Sequence, residues 1–100
     1  MFIINEILKK DKIPAEKMDE LFKQHVEWFT NHFEKGNFVL LGPYNDQEMV
    51  GIMLSPVESR DELENILKSD VYYADGMAEY EVHSFTAAKI SPKITEFVGK

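Results

Sequence analysis

The sequence contains no cysteine. Small secreted domains usually rely on disulfides, so this absence points to a reducing compartment and to a fold held by its core alone. It also lacks any hydrophobic run near the ~18 residues that a membrane span needs. The opening Met1-Phe2-Ile3-Ile4-Asn5-Glu6 has no basic stretch and meets a charge at once, unlike a signal peptide. The expectation is a cytoplasmic protein with no membrane partner. Basic residues are the minority: 11 Lys and Arg stand against 18 Asp and Glu, for a net charge of −7. Nucleic-acid binding draws on phosphate neutralisation by a basic face, and the lysines here are interleaved with acids, as in Glu16-Lys17-Met18-Asp19-Glu20. DNA and RNA are therefore not expected partners.

What is present suits one domain. The chain has 100 residues, 44% of them apolar. A domain of this size buries about 65% of the surface its unfolded chain exposes. There is no repeat, linker or low-complexity tract. Phe2 to Leu8 reads as a strand, and Pro14 suits the first turn of a helix. From Pro14 to about Lys35, Met18, Leu21, Phe22, Val26, Phe29 and Phe33 recur at helical spacing, with Gly36 as the stop. Phe38 to Leu41 and Met49 to Leu54 read as strands separated by Gly42-Pro43 and Asn45-Asp46. Ser59-Arg60-Asp61-Glu62 matches a capping box ahead of a second helix carrying Leu63, Ile66 and Leu67. Ala78 to Phe85 is the last strand, and the tail from Ile90 suggests a short docking helix.

The order β-α-β-β-α-β is that of an α+β, ferredoxin-like domain, a four-stranded antiparallel sheet with two helices on one face. Phe38-Val39-Leu40-Leu41 is apolar on both alternating faces, so the second face of the sheet is also expected to be covered. A homodimer packed sheet on sheet is one cover, and the C-terminal tail, residues 88–100, is the other.

Two polar residues fall on apolar stripes. His25 lies three residues after Phe22 and four before Phe29, facing the core, with His32 further along the same stripe. Such a histidine is either bonded to the backbone or recruited for chemistry. Asp70 stands four residues after Ile66, at the end of the second helix, where the helix dipole disfavours a carboxylate. Either the helix has ended and Asp70 is a solvated loop residue, or it faces a partner. With both helices on one sheet face, His25 and Asp70 can meet, and a carboxylate that fixes the tautomer of an imidazole makes it a general base. Gly42, Pro43 and Tyr44 end a central strand, where they form a plain turn or a pocket wall. Tyr72 and Tyr73 line a pocket or cover a core edge. Glu79, Glu81 and His83 alternate as a solvated or interface face. No Cys pair, His-x-x-x-His, phosphate loop or Gly-x-Ser-x-Gly elbow is present, so no metal, cofactor or covalent acyl chemistry is expected.

His25-Val26-Glu27-Trp28-Phe29, Gly42-Pro43-Tyr44, Ser69-Asp70-Val71-Tyr72, Ala74-Asp75-Gly76-Met77 and the run Glu79 to Phe85, in this order, resemble the YCII-related family of dimeric α+β barrels. The resemblance spans Phe2 to about Phe85 and implies a dimer with packed sheets. It also implies a site built on a helix-one histidine and an Asp-Pro-Phe/Tyr aspartate, roles that fall on His25 and Asp70. Three departures bear on substrate: Val71 stands where the family usually has proline, no arginine precedes the histidine, and Ser84-Phe85 replaces the common Pro-Trp. Some relatives are cofactor-independent dehalogenases of chlorinated muconolactones, and related barrels include lactone isomerases. The function expected is thus a cofactor-independent lyase, isomerase or dehalogenase acting on a small organic acid or lactone. His25 and Asp70 would be catalytic, and Gly42, Pro43, Tyr44 and Tyr72 would shape the pocket. The alternatives are a non-catalytic metabolite-binding dimer and a structural dimer with a buried His–Asp pair.

Overall fold

The computed structural model describes residues 1–100. Six main elements follow in order: β1 (Phe2–Leu8), α1 (Met18–Glu34), β2 (Leu40–Pro43), β3 (Val50–Ser55), α2 (Arg60–Lys68) and β4 (Ala78–Ser84). The strands form one antiparallel sheet in the order β2-β3-β1-β4, with the helices on one face. This is the α+β, ferredoxin-like arrangement that the sequence order implies.

Registry decides which side chains meet the helices. Ile4 pairs with Met53 on β3 and Val82 on β4, and all three point inward. Strand parity then turns Phe2 and Glu6 inward with Ile4, while Ile3, Asn5 and Ile7 face outward. The principal core gathers Phe2, Ile4, Trp28, Phe38, Met53, Val57, Leu63, Ile66 and Leu67. A smaller cluster of Ile13, Tyr72 and Met77 closes one end.

Local signals set the boundaries. Ser59 accepts from the Glu62 N–H at 3.1 Å and starts α2, the serine half of the anticipated capping box. At the end of α1, Gly36 adopts φ +82° while its N–H reaches Phe33 O and the Asn37 N–H reaches His32 O. That is a Schellman closure, which needs a residue free to occupy the left-handed region. Pro14 does not start α1. It precedes a 3₁₀ turn at Ala15–Lys17, and the α-helix begins at Met18. The helical stripe also differs from the anticipated one. Trp28 is the buried residue of α1, whereas Phe22 and Phe33 are about half exposed (56% and 50%). Leu21, His25, Trp28 and His32 follow the inward line, as expected for Leu21, His25 and His32, whereas Phe22 and Phe33 fall outside it.

The tail does not dock. It forms 3₁₀ turns over Pro92–Phe97, leaves Ile90, Phe97 and Val98 exposed, and makes at most passing contact with the helices and strands. The outer sheet face, with Ile3, Ile7, Ile52 and Leu54 half-buried, is therefore not covered by this chain's own C-terminus.

Candidate functional site

The site lies where the middle of α1, the end of α2 and the inward residues of β1 and β4 converge. α2 stops at Lys68, Ser69 caps it, and Asp70 turns to an extended conformation (φ −70°, ψ 136°). Asp70 therefore escapes the unfavourable end of the helix and instead caps the following 3₁₀ segment, Val71–Gly76. Of the two readings of the sequence, each holds in part: the helix has ended, yet the carboxylate is fully buried.

A bolt between the helices fixes the partner. Trp28 donates its indole N–H to Ser69 Oγ at 2.8 Å, and Ser69 in turn donates to Ile66 O at 2.6 Å. His25 sits one turn before Trp28, its ring stacked on the indole at 5.5 Å and edge-on to Phe29 at 5.2 Å. Tyr72 closes the box at 5.0 Å. Held in this way, His25 Nδ1 lies 2.8 Å from Asp70 Oδ1. The other carboxylate oxygen accepts from the Tyr80 hydroxyl at 2.7 Å, and the Tyr72 N–H reaches Oδ1 at 3.4 Å.

Burial pushes the Asp70 carboxyl up, but the bond and electrostatic pull of the His25 ring, the neighbouring Glu6 and the bond from Tyr80 outweigh it and hold it below the usual range. Asp70 is thus the ionised member, so His25 Nδ1 must carry the hydrogen and donate it. That leaves Nε2 as the nitrogen able to take up a proton.

Glu6 has the opposite fate. It is 4% exposed, and neither carboxyl oxygen has a hydrogen-bond partner. Its Oε2 stands 3.8 Å from His25 Nδ1, whose hydrogen is already given to Asp70. Burial first, and then the adjacent Asp70 carboxylate, push the Glu6 carboxyl up to about 10. The two carboxyls divide their states: Asp70 receives the donors and ionises, and Glu6 keeps its proton. Burial, the same carboxylates and Tyr73 likewise raise the Tyr80 phenol, so it remains a donor. Glu6, His25 and Asp70 each bring one ligand-capable atom within 4.8 Å of the others, a composition that also suits a cation. The geometry favours a proton instead, since His25 and Asp70 already satisfy each other at 2.8 Å.

Beside the pair opens a cavity of about 350 Å³ between α1 and the sheet. Glu6, His25, Gly42, Pro43 and Tyr44 line it, together with Phe22, Phe29, Leu41 and Met53. Met49, on its rim, takes φ +60°, a conformation that L residues avoid at a cost of about 1 to 3 kcal/mol. Tyr72 is not on the wall: it is 2% exposed and packs behind the His25 ring. His32 stands apart, accepting at Nδ1 from Asn37 at 3.0 Å, and burial followed by nearby Lys35 pushes it down. It is a half-buried histidine bonded to the Asn37 side chain and separate from the site. Glu79, Glu81 and His83 are exposed on the outer face of β4.

Glu6, Tyr80 and Trp28 were not singled out by sequence reasoning. The signal for Glu6 was available: it is an acid in step with Phe2 and Ile4 on an otherwise apolar strand face. Trp28 falls three residues after His25, and Tyr80 alternates in step with Val82.

The YCII-related domain matches residues 1–86. The chain belongs to the YCII-related family. Among curated proteins, none matches it. Among solved structures it is similar to 5-chloro-2-hydroxyhydroquinone dehydrochlorinase from Burkholderia phenoliruptrix AC1100, in complex with 2,5-dihydroxybenzoquinone. The TM-score is 0.61 at 14% identity, over 86% of this chain and 94% of that one. At that identity the likeness is one of fold. The YCII-related match ends at residue 86, just after β4, so the 3₁₀ tail lies outside it.

The protonated state of Glu6 has a sign that can be measured. Its folded value is raised above the ordinary 4.5, so its contribution to stability is complete below that pH and declines as pH rises toward about 10. In urea unfolding between pH 5 and 9, Glu6→Gln should flatten the decline by up to about 1.4 kcal/mol per pH unit. Parallel wild-type and variant curves would show that Glu6 is ionised throughout.

Proposed function

We propose that this YCII-related protein is a cofactor-independent enzyme in which His25 and Asp70 act as an acid–base pair on a small organic acid or lactone, with chemistry of the lyase, isomerase or dehalogenase type. The observation that carries this reading is the 2.8 Å bond between His25 Nδ1 and the buried Asp70 carboxylate, set beside an apolar cavity. Asp70 holds the hydrogen of the imidazole on Nδ1 and keeps Nε2 free to remove a proton from a substrate carbon or oxygen. The imidazolium that forms is then balanced by the ionised carboxylate, without a new uncompensated charge in the interior. Tyr80 and the Tyr72 N–H keep Asp70 in place during the transfer. Gly42, Pro43 and Tyr44 would hold the far side of the substrate, with Tyr72 acting on it through His25.

Two further facts support small-molecule chemistry. The strained Met49 lies on the cavity rim, where backbone strain often accompanies function. The structurally similar dehydrochlorinase acts on a small chlorinated ring, an analogy of fold that raises the prior for elimination chemistry.

The working form in this reading is a homodimer packed through the outer sheet face. Ile3, Ile7, Ile52 and Leu54 form an apolar layer there, and the tail leaves it uncovered.

Once a substrate is found in a screen of lactones, organic acids and their halogenated derivatives, His25→Ala should lower kcat by about 10² to 10⁴ while leaving the fold intact. Unchanged turnover would remove His25 from the chemistry. In sedimentation equilibrium the wild type should run as a dimer. Ile52→Asp should run as a monomer, because it buries an unpaired charge in the proposed interface. A dimer that survives this substitution would place the contact elsewhere.

A further inference from the structure

The walls of the cavity hold information about charge that the acid–base reading does not use. No lysine or arginine lines it; Lys10 lines an adjoining open depression instead. Of the titratable residues along it, Glu6, His25 and Tyr44, only the first two turn their side chains inward. His25 is committed to Asp70, and Tyr44 donates its hydroxyl to Asn5 Oδ1 at 2.6 Å. A carboxylate entering the cavity would therefore find no cation and would lie close to the buried negative charge of Asp70. Like charges at close range in a low dielectric repel strongly.

An ammonium ligand would need the opposite: a free carboxylate to meet it. Asp70 is not free, because three donors already occupy it and its side chain is fully buried. Glu6 is the remaining candidate, and its environment contains none of the donors that a buried carboxylate requires. Both of its oxygens are sealed from solvent and unpartnered, which suits a carboxylic acid far better than an anion.

We propose that the cavity selects uncharged, largely apolar molecules of single-ring size over both carboxylates and amines, because its walls offer neither a free cation nor a free carboxylate, Glu6 being buried beneath it with neither oxygen bonded. This rests on the reading of the cavity as the substrate site and narrows it. Of the organic acids and lactones considered above, the structure favours the uncharged carbonyl compounds. Glu6 bears on this only through the charge of the cavity floor and needs no direct bond to the ligand.

A charge series on one ring tests it. Acetophenone, benzoate and benzylamine share a benzene ring and differ in charge at pH 7.5. Their binding to the full chain can be followed by NMR titration of the Phe22, Phe29 and His25 signals. The wild type should bind acetophenone at least about tenfold more tightly than either ion, the scale expected when a charge is desolvated without a partner. Glu6→Gln, which makes the neutral state permanent, should keep the order and stay within about threefold for acetophenone. In the infrared, a protonated carboxyl band should be present in the wild type at pH 7.5 and missing from Glu6→Gln.

Tighter binding of benzylamine than of acetophenone in the wild type would overturn the proposal, since Glu6 would then be an anion. So would preferred binding of benzoate, or stabilisation by Zn²⁺ or Mn²⁺ with loss of the carboxyl band. The wild-type series decides the matter even where Glu6→Gln fails to fold. Failure of the acid–base reading looks different. In that case acetophenone is preferred and the band is present, while His25→Ala leaves turnover untouched.

Discussion

Burying Asp70 is the act around which this structure is arranged. A carboxylate taken out of water is tolerable only when its lone pairs are satisfied and a compensating charge or dipole stands close by. Here the chain brings a ring N–H from α1, a hydroxyl from β4 and a backbone N–H from the segment that Asp70 itself caps. Three separate parts of the chain must be in place for one side chain to be stable. The site is consequently a junction of the fold and not an ornament on its surface. The Trp28–Ser69 bond serves the same end, because it ties α1 to the end of α2 within one turn of both His25 and Asp70.

The same constraint explains the neighbour. Donors are scarce in the interior, and Asp70 takes those that reach the site. Glu6, packed beside it on β1, is left with none and resolves the conflict by remaining protonated. Two carboxyls with opposite protonation states thus arise from one unequal distribution of hydrogen bonds. In the proposed function, chemistry and specificity fall to different residues: the ionised carboxylate orients His25, and the neutral one leaves the cavity floor without a free charge.

Much of this was legible in the sequence, for identifiable reasons. The element order and the ends of the helices follow from Gly36, from Ser59 and from strand alternation, all of which are local signals. His25 and Asp70 could be found because each is a polar residue at a position where its helix demanded an apolar one. Glu6 carried the same kind of signal on a strand, but a single acid in a short run reads as readily as a strand end. The inward face of α1 was legible at His25 and His32 but not at Trp28. Phe22, Phe29 and Phe33 outnumber the lone Trp28, whose burial goes with an indole bond to Ser69, a contact across 41 residues of sequence. Phe22 is instead partly exposed on the cavity wall. The fate of the tail was hidden for a related reason. Helical spacing of Ile94, Phe97 and Val98 says that they can share a face, not that this chain supplies a surface for it.

The central claim is that Asp70 dictates the state of His25, and the tautomer of the ring reports on it directly. Long-range ¹H–¹⁵N spectra of the imidazole, recorded on the wild type and on Asp70→Asn above the titration of the ring, distinguish a proton on Nδ1 from one on Nε2. The geometry requires the neutral ring of the wild type to carry its proton on Nδ1, with this preference lost once the carboxylate is replaced. A neutral His25 protonated on Nε2 in the wild type, or one unchanged by Asp70→Asn, would contradict the account.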